Sequence, residues 1–408
     1  MISNVLFYLI FITYAFRPDG IRVSLMLGLV FSIYQICLAT YEGKNRIPLQ
    51  LLILYLGILI GSVISYLYYF GKVDKFFISN YVLFTINTYG FYLYFKLGDL
   101  KKIIGRLIKF QCYISVFAIV QQISFLLGFK YIYDLHSSLG FEGGSNISDL
   151  KYFTLYRVDS IFTEPSHFAY FISFGLFAGI KSLEKSSFFS SLVSKKQFVI
   201  IMVAFLMTFS FSMYFVLILF VFFTVLKPNF KSILIGGGIF FILAIVSTSE
   251  VVSTKINKIV NFNSIDVENS GATIFAIYSN AYITYKTLED HNYIFGSGMN
   301  SHRLNYDKYI IDLIDKDHRL YGTNSVDASS MFLKILSDFG VLGLVLVLCF
   351  FIFYRVRGRY SDLSVVALFA LISYMTRTGD YGSVVFTLFF SMYFAVYYLE
   401  KRKVGIFY

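Results

Sequence analysis

From Leu49 to Phe70 the chain runs 22 residues without one charged side chain, and a helix through the hydrocarbon core of a bilayer needs about 20 mostly apolar residues. Runs of this kind recur at 2–16, 22–40, 49–70, 75–96, 106–128, 159–181, 198–226, 232–249, 328–354, 361–378 and 381–399. Inside hydrocarbon each backbone amide must be satisfied within its own segment, so the pattern imposes a stack of helices. The composition agrees: 57% apolar, 20% aromatic and 14% charged, with mean hydropathy +0.69, where soluble domains carry about 25% charged residues. A soluble enzyme, a disordered tail and a disulfide scaffold are excluded. Cys37, Cys112 and Cys349 all fall inside apolar runs, where cysteine behaves as a small hydrophobe and no thiolate metal site is indicated. The first run ends at Arg17-Pro18-Asp19-Gly20 with no small-x-small cleavage site after it, so it reads as a retained helix.

Sidedness follows from lysine and arginine in the short loops, which stay cytoplasmic. Clusters occur at Lys96/Lys101/Lys102/Arg106/Lys109, Lys181/Lys185/Lys195/Lys196, Arg355/Arg357/Arg359 and Lys401-Arg402-Lys403. The second and third clusters require an even number of crossings between them, yet three runs intervene. Residues 197–226 would make a helix about 45 Å long at 1.5 Å per residue, against a core of about 30 Å. This run is therefore expected to cross twice as a broken hairpin around Ser210-Phe211-Ser212. Twelve crossings result, with both termini cytoplasmic. The net charge of +11 then divides into +14 inside and −3 outside, with Lys334 and Asp338 cancelling within a span. The basic excess is a topology signal matched to an anionic inner leaflet, and nucleic acid is not a partner.

The chain is thus expected to be an all-α polytopic membrane protein: helices over 1–128, a first outer loop over 129–158, central helices over 159–249, a large outer loop over 250–327 and C-terminal helices over 328–408. The outer loops are long enough to be functional. In the second, Ile274 to Tyr285 and Tyr306 to Ile314 have amphipathic patterns and Gly296-Ser297-Gly298 reads as a turn. All five histidines, His136, His167, His291, His302 and His318, fall on the outer side. No internal repeat is found, which argues against an inverted-repeat transporter.

The densest polar constellation is Tyr156-Arg157-Val158-Asp159-Ser160-Ile161-Phe162-Thr163-Glu164-Pro165-Ser166-His167. Thr163 is the expected helix cap, proline suits the first turn, and Glu164 and His167 then share a face. Ionisable residues at membrane depth point to function, although a cap with interfacial polar residues would also explain them. Next comes Phe295-Gly296-Ser297-Gly298-Met299-Asn300-Ser301-His302-Arg303, which is not a phosphate loop because no Lys-Ser/Thr follows. Asn324-Ser325-Val326-Asp327-Ala328-Ser329-Ser330 leads into Asp338-Phe339-Gly340-Val341-Leu342-Gly343, with Asp327 expected to cap that helix. Arg377-Thr378-Gly379-Asp380 forms the last outer turn, where arginine is suited to phosphate and Asp380 is its nearest carboxylate. No zinc-ligand spacing and no serine nucleophile elbow is present.

In this order the elements resemble the O-antigen and capsular polysaccharide polymerases (the Wzy type), relatives of the O-antigen ligases. The match spans roughly 157–380 and rests on Arg157 through Ser166, Ser210-Phe211-Ser212, Gly296-Ser297-Gly298, Asp327 through Gly343 and Arg377-Thr378-Gly379-Asp380. Ligases show a histidine motif where Asp327 stands here, which favours a polymerase. The resemblance implies a GT-C-like, metal-independent, inverting glycosyltransferase of the bacterial inner membrane with no cofactor. Donor and acceptor would be glycan repeat units on undecaprenyl pyrophosphate at the outer face. A chain-length regulator, a flippase and membrane lipids would be its partners in capsule or lipopolysaccharide synthesis.

The residues suit that chemistry. A pyrophosphate leaving group needs fixed cations, which Arg157, Arg377 and Arg303 can supply. The acceptor hydroxyl needs a general base, with Glu164 first and His167 or His302 second. Asp159, Asp327 and Asp380 would orient arginines or sugar hydroxyls. The alternatives are a ligase that moves finished glycan to an acceptor and, from another class, a polysaccharide flippase or transporter.

Overall fold

The computed structural model describes residues 2–13, 23–134, 147–150, 153–162, 164–184, 186–224 and 272–403. The chain enters through α1 (Ile2–Ile12), α2 (Val23–Tyr41), α3 (Leu49–Phe70), α4 (Lys75–Leu97) and α5 (Leu100–Leu126). One helical turn, α6 (Lys130–Tyr133), precedes an antiparallel hairpin of β1 (Ile147–Leu150) and β2 (Phe153–Tyr156), in which Ile147 pairs with Tyr156. Then follow α7 (Pro165–Ser182), α8 (Lys195–Leu206) and α9 (Phe211–Thr224). The remaining helices are α10 (Ala272–Asp290), α11 (His302–Tyr309) with a 3-10 turn at Ile310–Asp312, α12 (Met331–Phe353), α13 (Ser361–Met375) and α14 (Val384–Lys403).

Helices α2, α3, α5, α12 and α14 are long and apolar enough to cross a membrane, and α1, α9 and α13 are shorter apolar helices. The chain is a helical, membrane-embedded protein. Its exposed side chains fit that solvent: α3 turns Leu52, Ile53, Leu56, Ile60 and Ile64 outward, and α12 does the same with Val345, Leu346, Leu348 and Ile352. Facing water, such contiguous apolar stripes would be an aggregation liability. Facing lipid tails, they need no cover.

Polar caps delimit these helices. Asp74 accepts from Phe76 N at 3.2 Å to start α4, and Asp99 accepts from Lys102 N at 3.2 Å to start α5. Ser194 and Gln197 close a reciprocal capping box on α8. Helix α7 is buried from Phe168 to Ile180, as expected of a helix apolar on all sides. It packs on α13 and α8, and Phe177 stacks on Phe220 of α9 at 4.3 Å while Phe174 stacks on Phe389 of α14 at 5.7 Å. Much of the aromatic content is spent inside the bundle on such pairs.

Several expectations are corrected. The run 159–181 becomes helical only at Pro165, because Ser160 adopts φ 55° and the loop before it is held by side chains. The run 106–128 begins earlier, at Leu100, where Asp99 supplies the cap. The run 198–226 breaks at Met207–Ser210, as its length demanded, with Phe209 at φ 48°. The run 328–354 kinks at Gly340, whose φ of 63° is incompatible with a continuous helix. The short hairpin of β1 and β2 falls in the segment 129–158 and departs from an all-α chain. The amphipathic patterns 274–285 and 306–314 belong to α10 and to α11 with its 3-10 extension. The run 232–249 and His136 lie outside the described residues.

Candidate functional site

Strand β2 leads into Arg157, and the loop that follows is tied down on both sides. Val158 N donates to Met207 O at 3.3 Å, anchoring it against the break between α8 and α9. Gln121 of α5 accepts from Ser160 N at 2.7 Å and donates to Asp159 Oδ1 at 3.0 Å. Ser160 Oγ donates to Ile114 O at 2.8 Å. Asp159 is therefore a buried anchor of this loop. The arrangement leaves Arg157 half-buried beside the break, its Nε without a hydrogen-bond partner among the described residues. Burial lowers the pKa of its guanidinium and the Arg377 charge acts in the same sense, against the raising effect of Tyr214, Glu164 and Asp159. Tyr214 fixes the far side of the break by donating to Leu206 O at 2.5 Å.

Seven residues on, Glu164 occupies the N-cap position of α7 with Pro165 in the first turn. The cap position thus belongs to Glu164 rather than Thr163, which lies outside the described residues. Its carboxylate does not bond the helix backbone. It accepts instead from Arg377 Nη2 at 2.7 Å and from Ser166 Oγ at 3.1 Å, while Arg377 Nε donates to Ser166 Oγ at 3.0 Å. His167 Nε2 stands 4.0 Å from the same carboxylate oxygen. Burial would raise the pKa of Glu164, but His167, Arg377 and the Ser166 hydroxyl outweigh it and hold the carboxyl well below the usual range. Arg377 is 16% exposed and Glu164 45% exposed, so the pair lies at an edge open to solvent.

The turn that carries Arg377 is braced from the loop that leads into α12. Thr378 Oγ1 donates to Asp327 Oδ2 at 3.1 Å, and Ser329 N donates to Asp327 Oδ1 at 3.2 Å. A side chain at Gly379 would overlap the Asp327 carbonyl, so only glycine permits this approach. Asp327 does not cap α12; Ser330 does, accepting from Phe332 N at 3.2 Å. Burial raises the pKa of the Asp327 carboxyl, opposed by the Arg377 charge and by the hydrogen bonds it accepts. Ala328 and Ser329 both adopt positive φ, 53° and 59°, a strained pair that the surrounding contacts must hold. Asp380 closes this turn. Its Oδ1 accepts from Gly382 N at 3.0 Å, and Tyr374 OH donates to its carbonyl at 2.8 Å.

The glycine cluster belongs to a second polar centre. Gly298 N and Ser297 N donate to the Asp338 and Ser337 carbonyls at 2.7 and 3.1 Å, while Val341 N and Leu342 N donate to Tyr293 O and Ile294 O at 2.9 and 3.1 Å. The 293–298 segment thus inserts at the Gly340 kink and satisfies the backbone that the kink frees, the condition for non-helical backbone at membrane depth. Asp338 accepts from Asn300 N (2.7 Å), His302 N (3.1 Å), Ser301 Oγ (3.2 Å) and Tyr381 OH (3.2 Å). Lys334, one turn before it, donates to Val326 O at 2.7 Å and lies over the Tyr381 ring. This lysine joins the second centre to the Asp327 loop.

The structure therefore brings Arg157, Glu164, His167, Asp327 and Arg377 into one neighbourhood. His302 is fully buried, with Nδ1 on Ser337 Oγ at 3.1 Å and Nε2 on Asn280 Oδ1 at 2.8 Å, and burial lowers its pKa to about 3. Both ring nitrogens are committed, which makes it a packing element rather than a base. Arg303 is exposed and lies over the Phe76 ring. Ser166 stood in the quoted motif, but its bridging role depends on Arg377. Gln121, Tyr214 and Tyr381 carried no local signal among so many apolar neighbours and 34 tyrosines. Among the described residues no three of His, Cys, Asp and Glu gather as a metal ion would need. No protein-family model matches the chain, and no curated protein matches it in sequence.

Proposed function

We propose that the chain is a polysaccharide polymerase that joins undecaprenyl-pyrophosphate-linked repeat units at the outer face of the bacterial inner membrane. On this reading it crosses twelve times, keeps both termini in the cytoplasm and has a GT-C-like architecture. The observation that carries the reading is Arg377 on the Glu164 carboxylate at 2.7 Å, with the Arg157 guanidinium close enough for its charge to act on both, in a membrane-embedded chain. Paired guanidinium groups are the protein's means of stabilising a pyrophosphate that develops charge as it leaves.

The reaction balances without further reagents. The acceptor hydroxyl oxygen bonds to the anomeric carbon of the donor. The bond from that carbon to the pyrophosphate oxygen breaks, and the electron pair leaves on undecaprenyl pyrophosphate. The hydroxyl proton passes to Glu164, with His167 beside it to relay the proton onward. Asp327 holds the Arg377 turn in place through Thr378, and Asp159 secures the Arg157 loop through Gln121. The direct test is purified protein given a defined lipid-linked repeat unit without added metal, with products resolved by length. A ladder of increasing length supports a polymerase. Transfer only to a different acceptor would mark a ligase, and no transfer at all would remove the enzymatic reading.

A further inference from the structure

The carboxylate of Glu164 already occupies the Arg377 guanidinium. It is gripped from two directions, by Nη2 directly at 2.7 Å and through Ser166, which takes Arg377 Nε at 3.0 Å and gives its proton to Glu164 at 3.1 Å. The Nε and Nη2 edge of an arginine is the edge that grips one phosphate group bidentately. A carboxylate and a bridging hydroxyl on that edge form the same pattern of acceptors that a phosphoryl group would present. Meanwhile Arg157, whose charge acts on both members of the pair, keeps Nε buried and without a hydrogen-bond partner among the described residues. One arginine of the proposed site is thus filled from within and the other is incompletely satisfied.

We propose that Glu164 is an internal anion that holds the phosphoryl site in the resting protein and is displaced when a pyrophosphate binds Arg377 and Arg157. This rests on the polymerase reading for the identity of the anion, and it adds an order of events to it. While the carboxylate is on Arg377, its charged form is stabilised and it is a weak base. An incoming pyrophosphate takes the guanidinium and brings its own negative charge close by. The released carboxylate then gains affinity for a proton, since it has lost its cation and gained an anion as neighbour. Glu164 becomes a competent base only after the donor has bound, so an acceptor hydroxyl is not activated in a site lacking a donor. Helix α7 supplies the rigid mount, because Pro165 and the buried run behind it keep the Glu164 backbone fixed while the side chain swings.

The test uses full-length protein in detergent and inorganic pyrophosphate as the probe, with binding read by calorimetry. Removing a competing internal anion must strengthen binding, where removing an ordinary contact would weaken it. Glu164→Gln is expected to bind pyrophosphate about tenfold more tightly than the unsubstituted protein, a difference of about 1.4 kcal/mol, while losing turnover. Glu164→Asp, too short to keep the same grip on Arg377, is expected to fall between them, and Arg377→Ala to bind at least tenfold more weakly. A melting curve for each variant confirms that the comparison is between folded proteins. Equal or weaker binding by folded Glu164→Gln and Glu164→Asp overturns the internal anion. Tighter binding in a protein that makes no polymer leaves the internal anion standing and removes the polymerase.

Discussion

Arg377 reaches across 213 positions to Glu164, past Asp380, the carboxylate three residues away. Closeness along the chain is a poor guide here: Asp380 takes part in its own turn, where Gly382 N and Tyr374 hold it. Two donors of one guanidinium are used at once, so a lysine cannot replace it. On the proposed polymerase reading, Arg377→Lys is expected to keep the protein in the membrane but lower polymer synthesis by about 10² or more, the scale of losing a charge stabiliser in a transition state. Gel analysis of glycan length checks it, with the protein quantified in membranes, and normal-length chains would remove Arg377 from the site. Arg157→Ala is expected to behave likewise. His302 makes a prediction of a different kind. Its folded pKa of about 3 lies below the ordinary 6.5, so the unfolded chain binds more protons between these values and stability must fall as pH drops from 6.5. Burial lowers His291 as well, and it contributes with the same sign. Melting temperature is measured from pH 7.5 to 5 in the wild type and in His302→Asn, so that the carboxyl contributions, among them the opposing one of Asp327, are common to both. The stability difference between them should shrink as pH falls, with His302→Asn the less stable at pH 7.5.

At the level of elements, the informative feature is the kink in α12 and the segment docked on it. Gly340 at φ 63° and Gly296 at φ 65° face one another, and a side chain on either would strike backbone of the other segment. Both glycines were visible in the sequence, one as a turn and one within a span, but their contact was not. Hydropathy treats residues 328–354 as one run because the kink costs no polar residues. Only the neighbouring 293–298 backbone makes it affordable in free energy. Gly340→Ala is expected to cost about 1–3 kcal/mol for the strained conformation and more for the overlap. Its melting temperature in detergent should fall well below that of Gly61→Ala in α3, where an added side chain meets nothing within 4 Å. A Gly340→Ala protein as stable as wild type would show that the kink does not depend on glycine. The break in 198–226 teaches the converse. There, length alone was sufficient, because about 45 Å of helix does not fit a core of about 30 Å. What length did not show is that Met207 at the break accepts from Val158 and so positions Arg157.

For the whole molecule, the twelve-crossing topology remains the expectation that governs which groups share a face, and its weakest joint is the even count around 198–226. A reporter fused near Lys227 is expected to read cytoplasmic, and an outer reading would break the hairpin and the sidedness drawn from it. The membrane-embedded helical class was legible in the sequence because hydropathy is local: each run declares its preference for lipid whatever its neighbours do. A helix start beside Pro165 was legible for the same reason, since proline acts within one turn, although the cap expected at Thr163 falls to Glu164. The pairing of charges was not. Which carboxylate meets Arg377, whether His302 is a base or a buried strut, and which segment heals the Gly340 kink are set by the packing of helices far apart in the chain. No local pattern encodes those distances. The sequence determined the solvent this protein folds in and the residues able to do chemistry there; tertiary structure alone decided which of them meet.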